Sequence, residues 1–390
     1  MNTHEPTNVV VVGGGYAGVI AANHLLVNPD VAVTLINARP QFVERIRLHQ
    51  LVTGSDDAVV DFADVLSADV RLVVDTAELV DPDSRTVTLA SGATIGYDYL
   101  VYALGSTGAA LTVPGAAEYA YPISELEHAE RLRAAMSTVH PGAPVVVVGA
   151  GPTGLEVAAE LGEQGQSVTL VCGGVLGPYF SESTRRAVTK RMRKLGVTVV
   201  DGAGTKVTEV RTDSVLLADG RELPSVVTIW TAGFGVPDLA RRSGLATDEI
   251  GRLLTDETLT SVDDPFIVGA GDAVAPSDAP LRMSCQAAIP LGAQAANTVL
   301  SHIAGDQPAA VNQAFTGQCV SLGRKAGVIQ VAHLDDRPTP LFIGGRAAAT
   351  IKEAVCKGTV WQLGVEARKP GSYVWLKGGK RAERVAAAVR

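Results

Sequence analysis

Two short, wholly apolar runs in this chain end in the same spacing of glycines, and that repeat limits the fold more than any other feature. Asn8-Val-Val-Val-Val leads into Gly13, Gly15 and Gly18, and Ala143-Pro-Val-Val-Val-Val leads into Gly149, Gly151 and Gly154. A strand apolar on both faces is what a parallel sheet covered on both sides requires. Each glycine pattern is followed by a helix-like stretch, Val19–Leu26 and the segment through Glu163. A second β-rich run then follows, Val31–Ile36 and Ser167–Val171. In such a loop the first glycine allows a tight turn, the second lets the backbone approach a pyrophosphate, and the third lets the helix pack on the strand. One copy alone also describes an ordinary turn. Two copies, each between a strand and a helix, point to two dinucleotide-binding units.

The rest of the composition narrows the class. A length of 390 residues with 46% apolar and 19% charged residues suits two or three packed domains. A net charge of −8 argues against nucleic acid as a partner. Cys172, Cys285, Cys319 and Cys356 are widely spaced and form no C-x-x-C pair, so neither a disulfide framework nor a metal site is expected. Met1–Asn8 lacks the layout of a signal peptide, and no apolar run reaches the ~20 residues of a membrane span. A cytoplasmic protein is expected, either soluble or peripheral on the inner face of the membrane. Two dinucleotide units in one chain suit FAD together with a nicotinamide nucleotide.

Two further segments complete a resemblance. Tyr97–Gly105 reads as a strand ending in glycine, and Asp264–Ala273 as a buried strand ending in Gly271-Asp272. With the paired glycine loops, these make the chain resemble the two-dinucleotide-domain flavoproteins that include type II NADH dehydrogenases, apoptosis-inducing-factor-like proteins and rubredoxin reductases. The resemblance implies an α/β fold with two Rossmann-like domains, the second inserted in the first, and a small C-terminal α+β region. An FAD-binding domain would use residues 1–110 and 255–310, an NAD(P)H-binding domain 111–254, and the C-terminal region 311–390. Asp272 would bond the flavin's ribitol chain. Gly105 and Gly233 would close strands of the two nucleotide units, Gly233 in Thr228–Gly233.

The departures from the pattern matter as much. The second strand of each unit usually ends in an acid that bonds ribose hydroxyls. Here those places hold Asn37 and Cys172. Without a carboxylate at Cys172, nothing there repels a 2′-phosphate, so NADH or NADPH is open. The basic set Arg185, Arg186, Lys190, Arg191, Arg193 and Lys194 fits a solvated helix face or a phosphate contact. Glu156 fits a helix-start acid; the resemblance also puts it beside nicotinamide and flavin. Gln286 falls in the run corresponding to a quinone motif, Cys285–Pro290, whose second glutamine is Pro290 here; it also fits helix capping. His49 lies in Glu44–Gly54, which the resemblance runs past the flavin ring, and it equally fits a structural histidine. That segment lacks the cysteines of disulfide reductases and flavin NADH oxidases.

These observations lead to a flavin-dependent NAD(P)H oxidoreductase, with hydride passing to flavin N5 and electrons to a quinone or similar small acceptor. An NAD(P)H-responsive redox sensor and a reductase of a small electron-transfer protein are the alternatives. Oligomerisation is open. From Glu366 to Arg390 there are seven Lys or Arg against two Glu, with Tyr373 and Trp375 among them. This stretch fits either peripheral membrane contact or a solvated tail whose aromatics pack inward.

Overall fold

The two glycine loops leave the central strands of two similar sheets in the computed structural model, which describes residues 5–388. Met1–His4 of the N-terminal stretch and Arg390 of the basic C-terminal set lie outside the described residues. In chain order, the strands that matter here are β1 (Thr7–Val12), β2 (Val31–Asn37), β3 (Arg71–Val74), β4 (Tyr99–Tyr102), β5 (Ala120–Pro122), β6 (Pro144–Val148) and β7 (Ser167–Val171). They continue with β8 (Thr198–Val200), β9 (Val227–Trp230), β10 (Ile267–Gly269), β11 (Gly317–Ser321), β12 (Gly327–Ala332) and β13 (Pro338–Gly344). The helices are α1 (Tyr16–Leu25), α2 (Leu48–Thr53), α3 (Pro152–Glu163), α4 (Glu182–Lys194), α5 (Cys285–Ala304), α6 (Gly345–Arg368) and α7 (Arg381–Ala388).

The first sheet has the order β10-β4-β1-β2-β3 and the second β5-β9-β6-β7-β8, all pairs parallel. The registers correspond: Val9 faces Val33 and Tyr99 as Val145 faces Val168 and Val227. All strands of the second sheet fall between β4 and β10 of the first, so the second Rossmann-like unit is inserted in the first. Helices cover one face of each sheet, and a three-stranded antiparallel sheet (residues 77–96 in the first unit, 207–224 in the second) packs on the other, so both faces are buried and the central strands are continuous valine.

α1 is buried along its whole length. It starts at Tyr16, inside the glycine loop and earlier than the apolar pattern predicts. It packs between the first sheet and α5, where an added Cβ on Gly292 would strike the Ala17 carbonyl. The C-terminal antiparallel sheet β11-β12-β13 joins the second core through Val320 and Val328, while α6 joins the first core through Leu363. The C-terminal region therefore rests on both nucleotide units and closes the seam between them.

α6 departs from expectation. The apolar stripe Ala347, Ile351, Ala354 and Val355 predicts a helix over Arg346–Lys357, yet α6 runs on to Arg368 and buries another face: Ala348, Lys352, Cys356, Thr359, Leu363 and Glu366. Ile351 and Val355 stay exposed. The buried face was illegible because it carries Lys and Glu, and each has a partner. Glu366 accepts bonds from His24 Nδ1 (2.7 Å), Gly371 N–H (2.6 Å), Ser372 Oγ (2.8 Å) and Tyr373 N–H (2.7 Å). Tyr373 and Trp375 stack with centroids 6.0 Å apart and pack against the first core, and it is Val374 and Leu376 that point outward.

Candidate active site

The three glycines of each loop have separate physical roles. Gly13 and Gly149 have φ of +105° and +110°, and a Cβ on them would lie 2.5 Å from the Ala103 carbonyl and 2.6 Å from Thr231 Oγ1. A Cβ on Gly18 or Gly154 would overlap the Gly13 or Gly149 carbonyl. A Cβ on Gly15 or Gly151 would meet nothing within 4 Å. The outer glycines are thus consumed by the fold, and the middle ones face open space at the start of α1 and α3. Helix N-termini of ten and twelve residues present free N–H groups at such a point. The arrangement fits a pyrophosphate at each loop.

Both units open onto one cavity of about 1140 Å³. This exceeds the ~300–1,000 Å³ usual for a single small ligand. The first unit contributes Gly15 and Gly105, the second Thr153, Glu156 and Gly233, and α5 contributes Gln286. His49 and Asp272 line it too. Of the site residues expected from sequence, seven converge here, Gly15, Gly105, Glu156, Gly233, Gln286, His49 and Asp272. The second loop reaches the cavity through Pro152 and Thr153 rather than Gly151, and Gly13, Gly18, Gly149 and Gly154 sit behind the loops as backbone supports.

Asp272 accepts from Ser106 Oγ at 2.7 Å and from the Ser284 N–H at 3.1 Å. Burial raises its carboxyl, opposed by the Ser106 bond, the nearby Arg45 guanidinium and the Ser284 N–H. Arg45 is fixed by the carbonyls of Ser106 (2.6 Å) and Ser124 (3.1 Å). Ser284 also caps α5, accepting from the Ala287 N–H, so the α5 N-terminus opens into the cavity beside Gln286. The Gln286 amide is tied to β11: in its better-satisfied orientation it donates to the Gly317 carbonyl (3.0 Å) and accepts from Thr316 Oγ1 (2.8 Å).

Asn37 is occupied within the protein. Its Oδ1 accepts from the Gly14 N–H at 2.9 Å and its Nδ2 donates to the Arg39 carbonyl at 2.7 Å, so it braces the first glycine loop. Cys172 follows the end of β7 half-buried, and burial, with the Asp201 carboxylate beside it, pushes its thiol up to about 12. Asp201 follows β8. It also lines a shallow groove of about 490 Å³ with Arg185, Arg186, Lys190 and Arg193, so the basic helix α4 and a carboxylate meet next to Cys172.

Sequence reasoning missed Lys352 and Glu160. Lys352 Nζ lies 3.3 Å from Glu156 Oε1, which also accepts from the Ser321 N–H at 3.0 Å. Burial, the largest influence, would lower the Lys352 ammonium, but Glu156 and, after it, Cys356, Cys319 and Cys285 together outweigh it and hold the group above the usual lysine value. Cys285, Cys319 and Cys356 surround this lysine. Burial pushes all three thiols up, Cys356 to about 12, and Lys352 only partly opposes the rise. All four cysteines are unpaired. Protonated thiols are poor nucleophiles, so the environment disfavours thiolate chemistry there. Glu160 stands one turn after Glu156 on the same face of α3, a spacing that could have flagged it.

Comparison with known proteins agrees with this architecture. Residues 7–294 match the family model described as pyridine nucleotide-disulphide oxidoreductase. An NADH dehydrogenase-like protein of Mycobacterium tuberculosis is 30% identical over 331 residues, covering 77% of this chain and 82% of that one. A type II NADH:quinone oxidoreductase of Staphylococcus haemolyticus is 25% identical over 393 residues, covering 91% and 96%. The sulfide:quinone oxidoreductase of Aquifex aeolicus superposes with a TM-score of 0.80 at 22% identity, covering 94% and 93%, which is a likeness of fold. On the match over most of its length, the chain belongs to the pyridine nucleotide-disulphide oxidoreductase family.

Proposed function

We propose that this protein is an FAD-dependent NAD(P)H dehydrogenase that passes electrons to a quinone-class acceptor. The observation that carries the reading is the single cavity onto which both open glycine loops face, with Glu156 and Gln286 on its wall. The first loop, braced by Asn37, would hold the FAD pyrophosphate, with Asp272 on the ribitol side. The second would hold NAD(P)H, with Gly233 and Thr153 beside it. FAD bound there would supply the hydride acceptance from NAD(P)H and the two-electron transfer to the acceptor. The protein's part is to align the two nucleotides and exclude water. Glu156 and Lys352 would meet the acceptor's oxygen, and Gln286 would orient it.

The cavity mouth supports a lipid-soluble acceptor. Ile351 and Val355 of α6 line the cavity while exposed, as do Val374 (85% exposed) and Leu376. Lys377 stands beside this rim, 5.5 Å from the Trp375 ring. Among the described residues no helix is long and apolar enough to cross a membrane. Peripheral contact through the rim, on an anionic inner leaflet, would set the mouth where quinones partition.

The test is anaerobic stopped-flow. NADH or NADPH should bleach the flavin within the turnover time, and a short-chain quinone should restore it at a comparable rate. Reoxidation by an iron–sulfur protein and not by quinones would replace this reading with that of an electron-transfer-protein reductase.

A further inference from the structure

Reduction of a quinone by NADH consumes a proton from water: NADH, H⁺ and quinone give NAD⁺ and quinol. The hydride carries one hydrogen, and the second must cross protein that excludes solvent. His49, Glu156 and Glu160 are only 2%, 5% and 2% exposed, yet they form a row. His49 Nδ1 lies 3.6 Å from Glu156 Oε2 on the cavity side, and Nε2 lies 3.4 Å from Glu160 Oε1 on the other. Nε2 makes no aligned hydrogen bond, so the ring stands between two carboxylates without being locked to either. Glu160 Oε2 accepts from Thr53 Oγ1 at 2.6 Å and from Ser55 Oγ at 3.2 Å, and Ser55 is exposed.

We propose that Ser55, Thr53, Glu160, His49 and Glu156 form a proton wire from the surface to the acceptor, with His49 as the carrier and Glu160 as its positioning anion. This rests on the reading of function above. The proton would pass from Ser55 Oγ, recharged by water, to the Glu160 carboxylate, which holds it only transiently and hands it to His49 Nε2. His49 would release its Nδ1 proton to Glu156 Oε2, and that carboxyl would pass it to the acceptor oxygen. Each transfer breaks one N–H or O–H bond and forms the next, with no change in electron count. An imidazole is suited to this because its two nitrogens exchange a proton near neutral pH. The other charges that bear on the ring are Lys352 of α6, through Glu156, and Arg324 of the β11–β12 turn, 3.3 Å from Glu160. The Glu160 carboxyl is itself held at about 2: burial would raise it, but His49, Thr53 and Arg324 together prevail.

Two variants, His49→Gln and Glu160→Gln, test the wire on the FAD-loaded protein. Flavin bleaching by NADH needs no proton and should change less than ~2-fold. Reoxidation by a short-chain quinone should slow ~10-fold or more and lose its dependence on pH near neutrality. Reoxidation by ferricyanide, which takes up no proton, should be spared. Independently of turnover, the His49 ring signal, assigned by its loss in His49→Gln, should titrate in histidine-labelled protein. Its midpoint should fall by at least one pH unit in Glu160→Gln, a tenfold change in proton affinity. Equal slowing of all three electron transfers, or a midpoint unmoved by Glu160→Gln, overturns the proposal. If the parent turns over no quinone, the reading of function fails, and proton delivery to a quinone with it. The ring titration remains the separate test of whether His49 carries a proton.

Discussion

Replacing Gly15 by valine separates a ligand's requirement for glycine from the fold's. Gly15 has φ −81° and ψ −168°, extended backbone that a β-branched residue adopts without strain, and its Cβ would meet no protein atom within 4 Å. Its one structural duty is as N-cap of α1, where glycine ranks above valine by about 1 kcal/mol. The apoprotein should therefore lose no more than about 1 kcal/mol. The space the side chain enters is where a pyrophosphate would meet the N–H groups of the loop. Loss of two charge-assisted bonds at ~1.5–3 kcal/mol each amounts to ~3–6 kcal/mol, or ~10²–10⁴-fold in FAD affinity. Gly13→Ala and Gly18→Ala provide the contrast. The first forces a side chain onto φ +105° and against the Ala103 carbonyl, and the second overlaps the Gly13 carbonyl, so each should cost ~2–3 kcal/mol or more in the apoprotein. Chemical denaturation of apoprotein and calorimetric titration with FAD give both quantities. Parent-level flavin occupancy in Gly15→Val, or an apoprotein stability loss matching that of Gly18→Ala, would refute the argument.

Three further outcomes are expected. Burial opposes the Glu366 carboxylate, but the bonds from His24, Ser372 and the Gly371 N–H hold its folded-state value below that of the unfolded chain. Its stabilisation is thus complete above the unfolded carboxylate range, about pH 4.3, and is lost as pH falls below it. Glu366→Gln should cost about 3 kcal/mol at neutral pH and flatten that acid limb; parallel limbs in denaturation against pH would contradict the assignment. Cys172→Glu should shift the NADH:NADPH ratio of kcat/KM toward NADH by ~10-fold, about 1.4 kcal/mol, and an unchanged ratio would assign ribose recognition to another residue such as Asp201. Vesicles containing anionic lipid should co-sediment the protein at low salt, at ~1 kcal/mol per nearby basic residue. Val374→Glu with Leu376→Glu should abolish binding; a supernatant-only parent would leave the acceptor to arrive through water.

What the sequence made legible followed from backbone constraint. Glycine positions that must admit a carbonyl or a positive φ cannot be filled by other residues, so the spacing of those glycines alone locates both loops, both central strands and the α/β class. The ends of elements were less accessible. α1 begins within the loop at Tyr16 because its first turn needs no side-chain cap, and α6 continues past Lys357 because Leu363 and Glu366 find a place against α1. Neither event leaves a periodic apolar mark.

The polar interior was harder still, and for a reason that also bears on function. Lys352, Glu156, His49 and Glu160 come from three helices and are each ambiguous alone: a lysine reads as surface, an early helical glutamate as a dipole partner, a histidine as structural. Burying any one of them without the others would carry a large desolvation cost, so each tolerates its position only because the rest are present. A row of charges that must be assembled whole yields little sequence periodicity. A well-packed apolar cluster of the same volume would often be as stable. That this protein keeps ionisable groups across the seam, with one end at the cavity wall and the other at exposed Ser55, is what a proton path requires and a hydrophobic seam could not supply.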